Sequence, residues 1–135
     1  MTHVDSSFLI DLLREHARQR PGPATGFLES HAGESLGASV FVACELEAGA
    51  GRAAHPDRER SRVRGVLQSL AIAYPDERFA AAYGELFARI TARGHAVSQM
   101  DLLIATAAVV NGVPLLTANE KHFAVVPDLR IVTYR

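Results

Sequence analysis

Cysteine is almost missing from this sequence. Cys44 is the single one in 135 residues, which excludes an internal disulfide and any zinc site built on thiolate pairs. The six histidines are scattered and show no metal-ligand spacing. Lysine is equally scarce: Lys121 is the only one among 14 basic residues, so arginine carries the positive charge. The formal net charge of −1 gives no global field to attract a polyanion, so any such contact must come from local placement. No apolar run approaches the length that crosses a bilayer. The opening Met1-Thr2-His3-Val4-Asp5 lacks the basic region and apolar core of a secretory signal. These absences predict a cytoplasmic chain with no membrane partner. A Walker motif, a Gly-rich phosphate loop and a nucleophile elbow are also missing.

What is present reads as a folded globular domain. Hydrophobic residues make up 48% and charged residues 21%, enough to bury a core without a covalent or metal staple. One domain over residues 1–135 is expected. Strand and helix signals alternate. His3-Val4 reads as a short strand, and Phe8, Leu9, Leu12 and Leu13 follow at helical spacing. Arg20-Pro21-Gly22-Pro23 breaks the chain before a short helix over Ala24 to His31. A second strand is predicted over Leu36 to Val40, and helices over Phe41 to Ala50 and His55 to about Ser69. Leu70 to Ala73 reads as a third strand. Pro75-Asp76-Glu77 looks like the start of a helix whose apolar face is Phe79, Tyr83, Leu86, Phe87 and Ile90, with Gly94 as its stop. A helix from Met100 to Val110 presents the stripe Met100, Leu103, Ile104, Ala107 and Ala108 and ends at Asn111-Gly112. Val113 to Thr117 and Leu129 to Thr133 complete the strands. The alternation predicts an α/β fold with a mainly parallel sheet.

Four polar positions stand at strand ends or helix starts, where open parallel sheets keep their sites. Asp5 ends the first strand and also suits a helix cap. Asp101 opens the central helix three residues after Ser98, a spacing that resembles a capping box. At roughly 100° per residue, Glu45 borders the apolar stripe of its helix beside Val42, Leu46 and Gly49, while Glu47 falls on the far side. Asn119 follows the fourth strand and again suits a cap. Each residue has an ordinary structural use alone. Three acids at one sheet edge would repel one another unless a divalent cation neutralised them. Oxygen-only ligation suits Mg²⁺ or Mn²⁺ rather than Zn²⁺.

These stretches, taken in order, resemble PIN domains. Val4-Asp5-Ser6-Ser7-Phe8-Leu9 is similar to their opening, and Glu45-Leu46-Glu47-Ala48-Gly49-Ala50 to their second motif. Asp101-Leu102-Leu103-Ile104-Ala105, with Leu116-Thr117-Ala118-Asn119 through Phe123, is similar to the third and fourth. Length and order are similar to the VapC toxins of toxin–antitoxin modules. The resemblance implies a sheet of order 3-2-1-4-5 and an endoribonuclease using Mg²⁺ or Mn²⁺. Its metal ligands would be Asp5, Glu45 and Asp101, with Asn119 in the fourth catalytic position. Asn119 stands where an Asp is frequent, and Glu120 beside it is a second candidate for that position. Thr117 would orient a ligand or a water. Arg52, Arg58, Arg60, Arg62 and Arg64 could contact RNA, with Arg52 and Arg58 as the candidates, but their near-alternate spacing spreads them around a helix rather than on one face, so simple solvation accounts for most of them. The resemblance further implies a homodimer and a VapB-like antitoxin partner. A PIN-like binding module without catalysis is the alternative, favoured by the neutral Asn119. A receiver-like phospho-acceptor domain fits less well, because neither the second nor the third strand ends on a suitable acidic pair.

Overall fold

The computed structural model describes residues 1–135. Its strands are β1 (Thr2–Val4), β2 (Leu36–Ser39), β3 (Ala71–Ala73), β4 (Leu115–Leu116) and β5 (Ile131–Val132). Its helices are α1 (Ser6–Ala17), α2 (Pro23–Ser30), α3 (Val40–Gly51), α4 (Pro56–Gln68), α5 (Phe79–Ala92), α6 (Gln99–Asn111) and α7 (Glu120–Phe123). The strands form one sheet in the order β3-β2-β1-β4-β5, every neighbouring pair parallel. This is the order the resemblance implied. From β1 the chain steps outward to β2 and β3, then returns past β1 to β4 and β5. Right-handed crossovers in opposite directions place the intervening helices on opposite faces. Order therefore reverses between β1 and β4, and a crevice opens there at the carboxyl ends of the strands.

The three inner strands β2, β1 and β4 are nearly all interior, whereas the edge strands β3 and β5 are partly exposed. Val4, Ala38, Leu115 and Leu116 are wholly buried. On one face Phe8, Leu9 and Leu12 of α1 pack with Ala24 and Phe27 of α2 and Val63 of α4. On the other, Leu86 and Ile90 of α5 meet α6. Phe8 joins the first face to the chain end, meeting Phe27 and Tyr134 edge-on at centroid distances of 5.9 and 5.0 Å. No helix is long and apolar enough to cross a membrane.

Several local expectations are corrected. The helix expected from Pro75 begins at Phe79. The Asp76 carboxylate instead accepts from the Arg78 backbone N–H at 2.9 Å and pairs with its guanidinium, making a turn of its own before the helix. Phe87 is exposed rather than on the apolar face of α5. Val40 starts α3 instead of ending β2, because Ser39 caps that helix by accepting from Val42 N at 3.4 Å. In α6, Leu102, Ile104, Ala105, Thr106, Ala107 and Ala108 are all buried while Met100 and Leu103 are half-buried. A helix enclosed on most of its circumference has no single stripe. Gly112 ends it at φ +64°, as the Asn-Gly pair predicted.

One glycine is required by close approach. A Cβ on Gly37 of β2 would lie 2.8 Å from the carbonyl oxygen of Ala71 in β3 and 3.0 Å from Met1 Sδ. The methionine can yield, but the strand carbonyl cannot. Gly37→Ala is expected to cost about 1–3 kcal/mol, read as a lower denaturation midpoint with an unchanged m-value. An unchanged midpoint would mean that β2 and β3 can separate freely at this register.

Candidate active site

The crevice between β1 and β4 is built around Asp5. Residue 5 leaves β1 and caps α1, its Oδ1 accepting from Phe8 N at 3.3 Å. Ser7 Oγ donates to the same oxygen at 2.6 Å. Thr117, one residue past β4 and wholly buried, donates to Oδ2 at 2.6 Å. The Thr117 hydroxyl in turn accepts from Asn119 N at 2.9 Å, and Ser7 Oγ accepts from Ala118 N at 3.0 Å. Thus the turn after β4 is stitched to the first turn of α1, and the Asp5 carboxylate is locked in one orientation.

Asp5 is only 3% exposed, yet it forms no ion pair. Burial pushes its carboxyl pKa up, and the hydrogen bonds from Ser7, Thr117 and Phe8 pull against that shift. A buried carboxylate with hydroxyl and amide partners but no cation is poised for an added positive charge.

Glu45 shares this arrangement. It projects from the second turn of α3, half-buried, and accepts from Ser6 Oγ at 2.5 Å without any cationic partner. Ser6 follows Asp5 directly, so the start of α1 carries one hydroxyl for each acid. On α3 the buried positions are Val42, Leu46 and Ala50, whereas Gly49 is exposed. Glu47, expected in water, is half-buried and stands 3.9 Å from Arg64.

Asp101 enters from the first turn of α6. The cap there is Ser98, whose Oγ accepts from Asp101 N at 3.1 Å. The Asp101 side chain is consequently free of capping duty. Its Oδ2 stands 3.8 Å from His122 Nδ1 of α7. Asn119 occupies the position before α7 but makes no side-chain cap, and both it and Glu120 are exposed. Asp5 and Glu45 are therefore joined through the adjacent Ser6 and Ser7, while Asp101 is turned toward α7. No three acidic, histidine or cysteine side chains stand close enough together to hold an ion as they are placed. The donor set still fits a hard cation, being all oxygen and including two uncompensated carboxylates.

Ser6, Ser7 and His122 were not singled out from the sequence. The two serines had a signal: consecutive hydroxyls directly after a strand-ending Asp. His122 had none, since its relevance depends on where α7 folds. Of the five arginines between Arg52 and Arg64, Arg60, Arg62 and Arg64 pair with Asp57, Glu59 and Glu47. Arg52 and Arg58 are exposed and unpaired.

An all-parallel five-stranded sheet with a buried acid at the end of β1, beside the reversal of strand order, defines an open α/β domain with a polar crevice. The chain matches the PIN domain family over residues 3–129 and belongs to it. It is similar to Ribonuclease VapC19 of Mycobacterium tuberculosis, with 29% identity over 131 residues that span 96% of this chain and 98% of that protein. Its fold is similar to a chain of VapBC2 from Rickettsia felis, solved bound to a promoter DNA fragment. That match has a TM-score of 0.89 and 24% identity, covering 99% of this chain and 98% of the other. It is also similar to a chain of VapBC-5 from Mycobacterium tuberculosis, a member of the VapBC family of toxin–antitoxin systems. There the TM-score is 0.68 at 22% identity, with coverage of 99% and 97%.

Proposed function

We propose that this chain is a Mg²⁺- or Mn²⁺-dependent endoribonuclease, the toxin of a VapBC-type toxin–antitoxin module. The observation that carries the reading is the buried, unpaired Asp5 carboxylate, fixed by Ser7 and Thr117 at the point where strand order reverses. Family membership and the similarity to a VapC ribonuclease support RNA as substrate. Asp5, Glu45 and Asp101 would hold the cation, which when bound lowers the pKa of a water and polarises the scissile phosphate. Thr117 and Ser7 set the direction of Asp5, and Ser6 sets that of Glu45. Asn119 and Glu120 lie exposed beside the crevice, where either can face the substrate. Arg52 and Arg58, free of acidic partners, are offered to the RNA backbone. A VapB-like antitoxin, in keeping with the toxin–antitoxin chains that share this fold, together with a homodimer and a cytoplasmic location, completes the reading.

A second reading is a PIN-like binding module without catalysis. The neutral amide of Asn119 and the outward turn of Asp101 favour it. Incubation with single-stranded RNA decides between them. Cleavage that appears with Mn²⁺ or Mg²⁺ and disappears with a chelator is expected. RNA that is bound but stays intact at every metal concentration would leave only the second reading.

A further inference from the structure

A cleft of about 340 Å³ lies at the far end of α1, lined by charged side chains and by Pro21, Gly22 and Pro23, with no aliphatic or aromatic side chain. Arg14, Arg18 and Arg20 surround it, and the C-terminal Arg135 joins them. Arg14 and Arg18 are one helical turn apart on the same face of α1. The turn after the helix then folds back. Gln19 adopts φ +52°, Gln19 N donates to His16 O and Arg20 N to Glu15 O, each at 3.1 Å. This closure holds the backbone at Arg20 beside the cleft.

The cleft also contains two acids, Asp11 and Glu15, and both are committed elsewhere. The Glu15 carboxylate accepts from the backbone N–H groups of Gly22, Ala24 and Thr25 at 2.7, 3.0 and 2.9 Å, capping α2. Asp11 Oδ2 accepts from Tyr134 Oη at 2.6 Å and faces Arg135 at 3.4 Å. Arg14, Arg18 and Arg20 are exposed and form no ion pair. A basic residue near a helix C-terminus complements the helix dipole, which accounts for Arg14. The dipole also favours Arg18 at the C-cap, but the two guanidinium groups one turn apart repel each other, and the dipole does not account for Arg20 beyond the turn.

We infer that this cleft binds the phosphate backbone of the RNA strand outside the acidic site, an inference that rests on the function proposed above. Guanidinium forks match phosphate oxygens in pairs. A docked protein segment would call for a deep apolar pocket, and the lining offers only the rings of Pro21 and Pro23. The cleft has one residue, Arg14, in common with a groove that reaches Glu45. That groove, of about 450 Å³, lies between α1, α3 and α4. Along α1, Arg14 lies about 14 Å beyond Asp5, at roughly 1.5 Å per residue. A strand held at the acids can therefore extend several nucleotides along α1 into the cleft.

The test uses the full chain in a chelator, so that binding is read without cleavage. The Kd for a fluorescent single-stranded RNA is measured over a series of salt concentrations for wild type and for Arg14→Gln/Arg18→Gln/Arg20→Gln. The triple variant should bind at least roughly tenfold more weakly, and its log–log salt slope should be shallower by about 2, near 0.7 per lost phosphate contact. Its melting temperature should match wild type. Arg93→Gln, at the exposed C-cap of α5, should change neither quantity. An unchanged slope in the triple variant would overturn the inference, as would equal weakening by Arg93→Gln or a wild type that does not bind RNA. Weakened binding of an acidic peptide with RNA binding intact would reassign the cleft to a protein partner. If RNA binding depends on these arginines but added metal brings no cleavage, the catalytic reading fails and the cleft stands.

Discussion

Asp101→Asn should abolish metal-dependent RNA cleavage, a loss on the order of 10³-fold or more, while leaving the metal-free protein as stable as wild type. The reasoning starts from the cap. Ser98 satisfies the first turn of α6, and Asp101 contributes only its backbone N–H to that bond. Its carboxylate is therefore dispensable to the helix, and its sole close partner is the exposed His122 at 3.8 Å. Were Asp101 an ordinary helix-start acid, the change would cost a few tenths of a kcal/mol through the helix dipole and would not touch activity. Asp5→Asn gives the companion result. It should also abolish cleavage, and it should raise the melting temperature of the metal-free protein by about 3 °C, on the order of 1 kcal/mol, because a buried charge without a cation is removed. Addition of Mn²⁺ should then reverse the ranking, stabilising wild type and not the variant. A scan with and without metal, beside a nuclease assay, reads both signs. Cleavage retained by Asp101→Asn would remove it from the site, and a wild type indifferent to Mn²⁺ would do the same for the metal.

Phe8→Ala should be the most damaging single change to the fold. Phe8 is 1% exposed and sits between Phe27 of α2 and Tyr134 past β5. Truncation loses the buried ring area and leaves a cavity, together about 3–5 kcal/mol. That is a large share of the roughly 5–15 kcal/mol available to a domain. Denaturant unfolding should show the loss directly, and Phe8→Leu should recover most of it. A cost under about 1 kcal/mol for the alanine variant would mean that α2 and the C-terminal segment are not anchored through this ring.

Much of this was legible in the residues. Alternating strand and helix signals located all five strands, and Asn111-Gly112 marked the end of α6 because a left-handed residue was needed there. Asp5 and Asp101 could be singled out because each stood where a parallel sheet concentrates polar groups, and Glu45 because it bordered the apolar stripe of its helix. What escaped were contacts between distant parts of the chain. Thr117 was read as a possible orienter, but that its target is Asp5 depends on β1 and β4 being neighbours. The serine bond to Glu45 depends on α1 crossing α3. Periodicity failed on α6 for a related reason: Leu102 and Ala105 lie off the expected stripe, and only packing on several sides buries them. At Pro75 the local preference was sound, yet the Asp76–Arg78 pair claimed the backbone first.

The bond from Thr117 to Asp5 joins residues 112 positions apart, and β1, central in the sheet, waits for β4 to complete one of its edges. Such pairings close a very long loop and form late and slowly. In an emerging chain Asp5 can be held on one oxygen by Ser7 and Phe8 from the start, but its other oxygen gains the Thr117 donor only after β4 has been made and paired. A prematurely terminated product therefore carries the acids without the crevice.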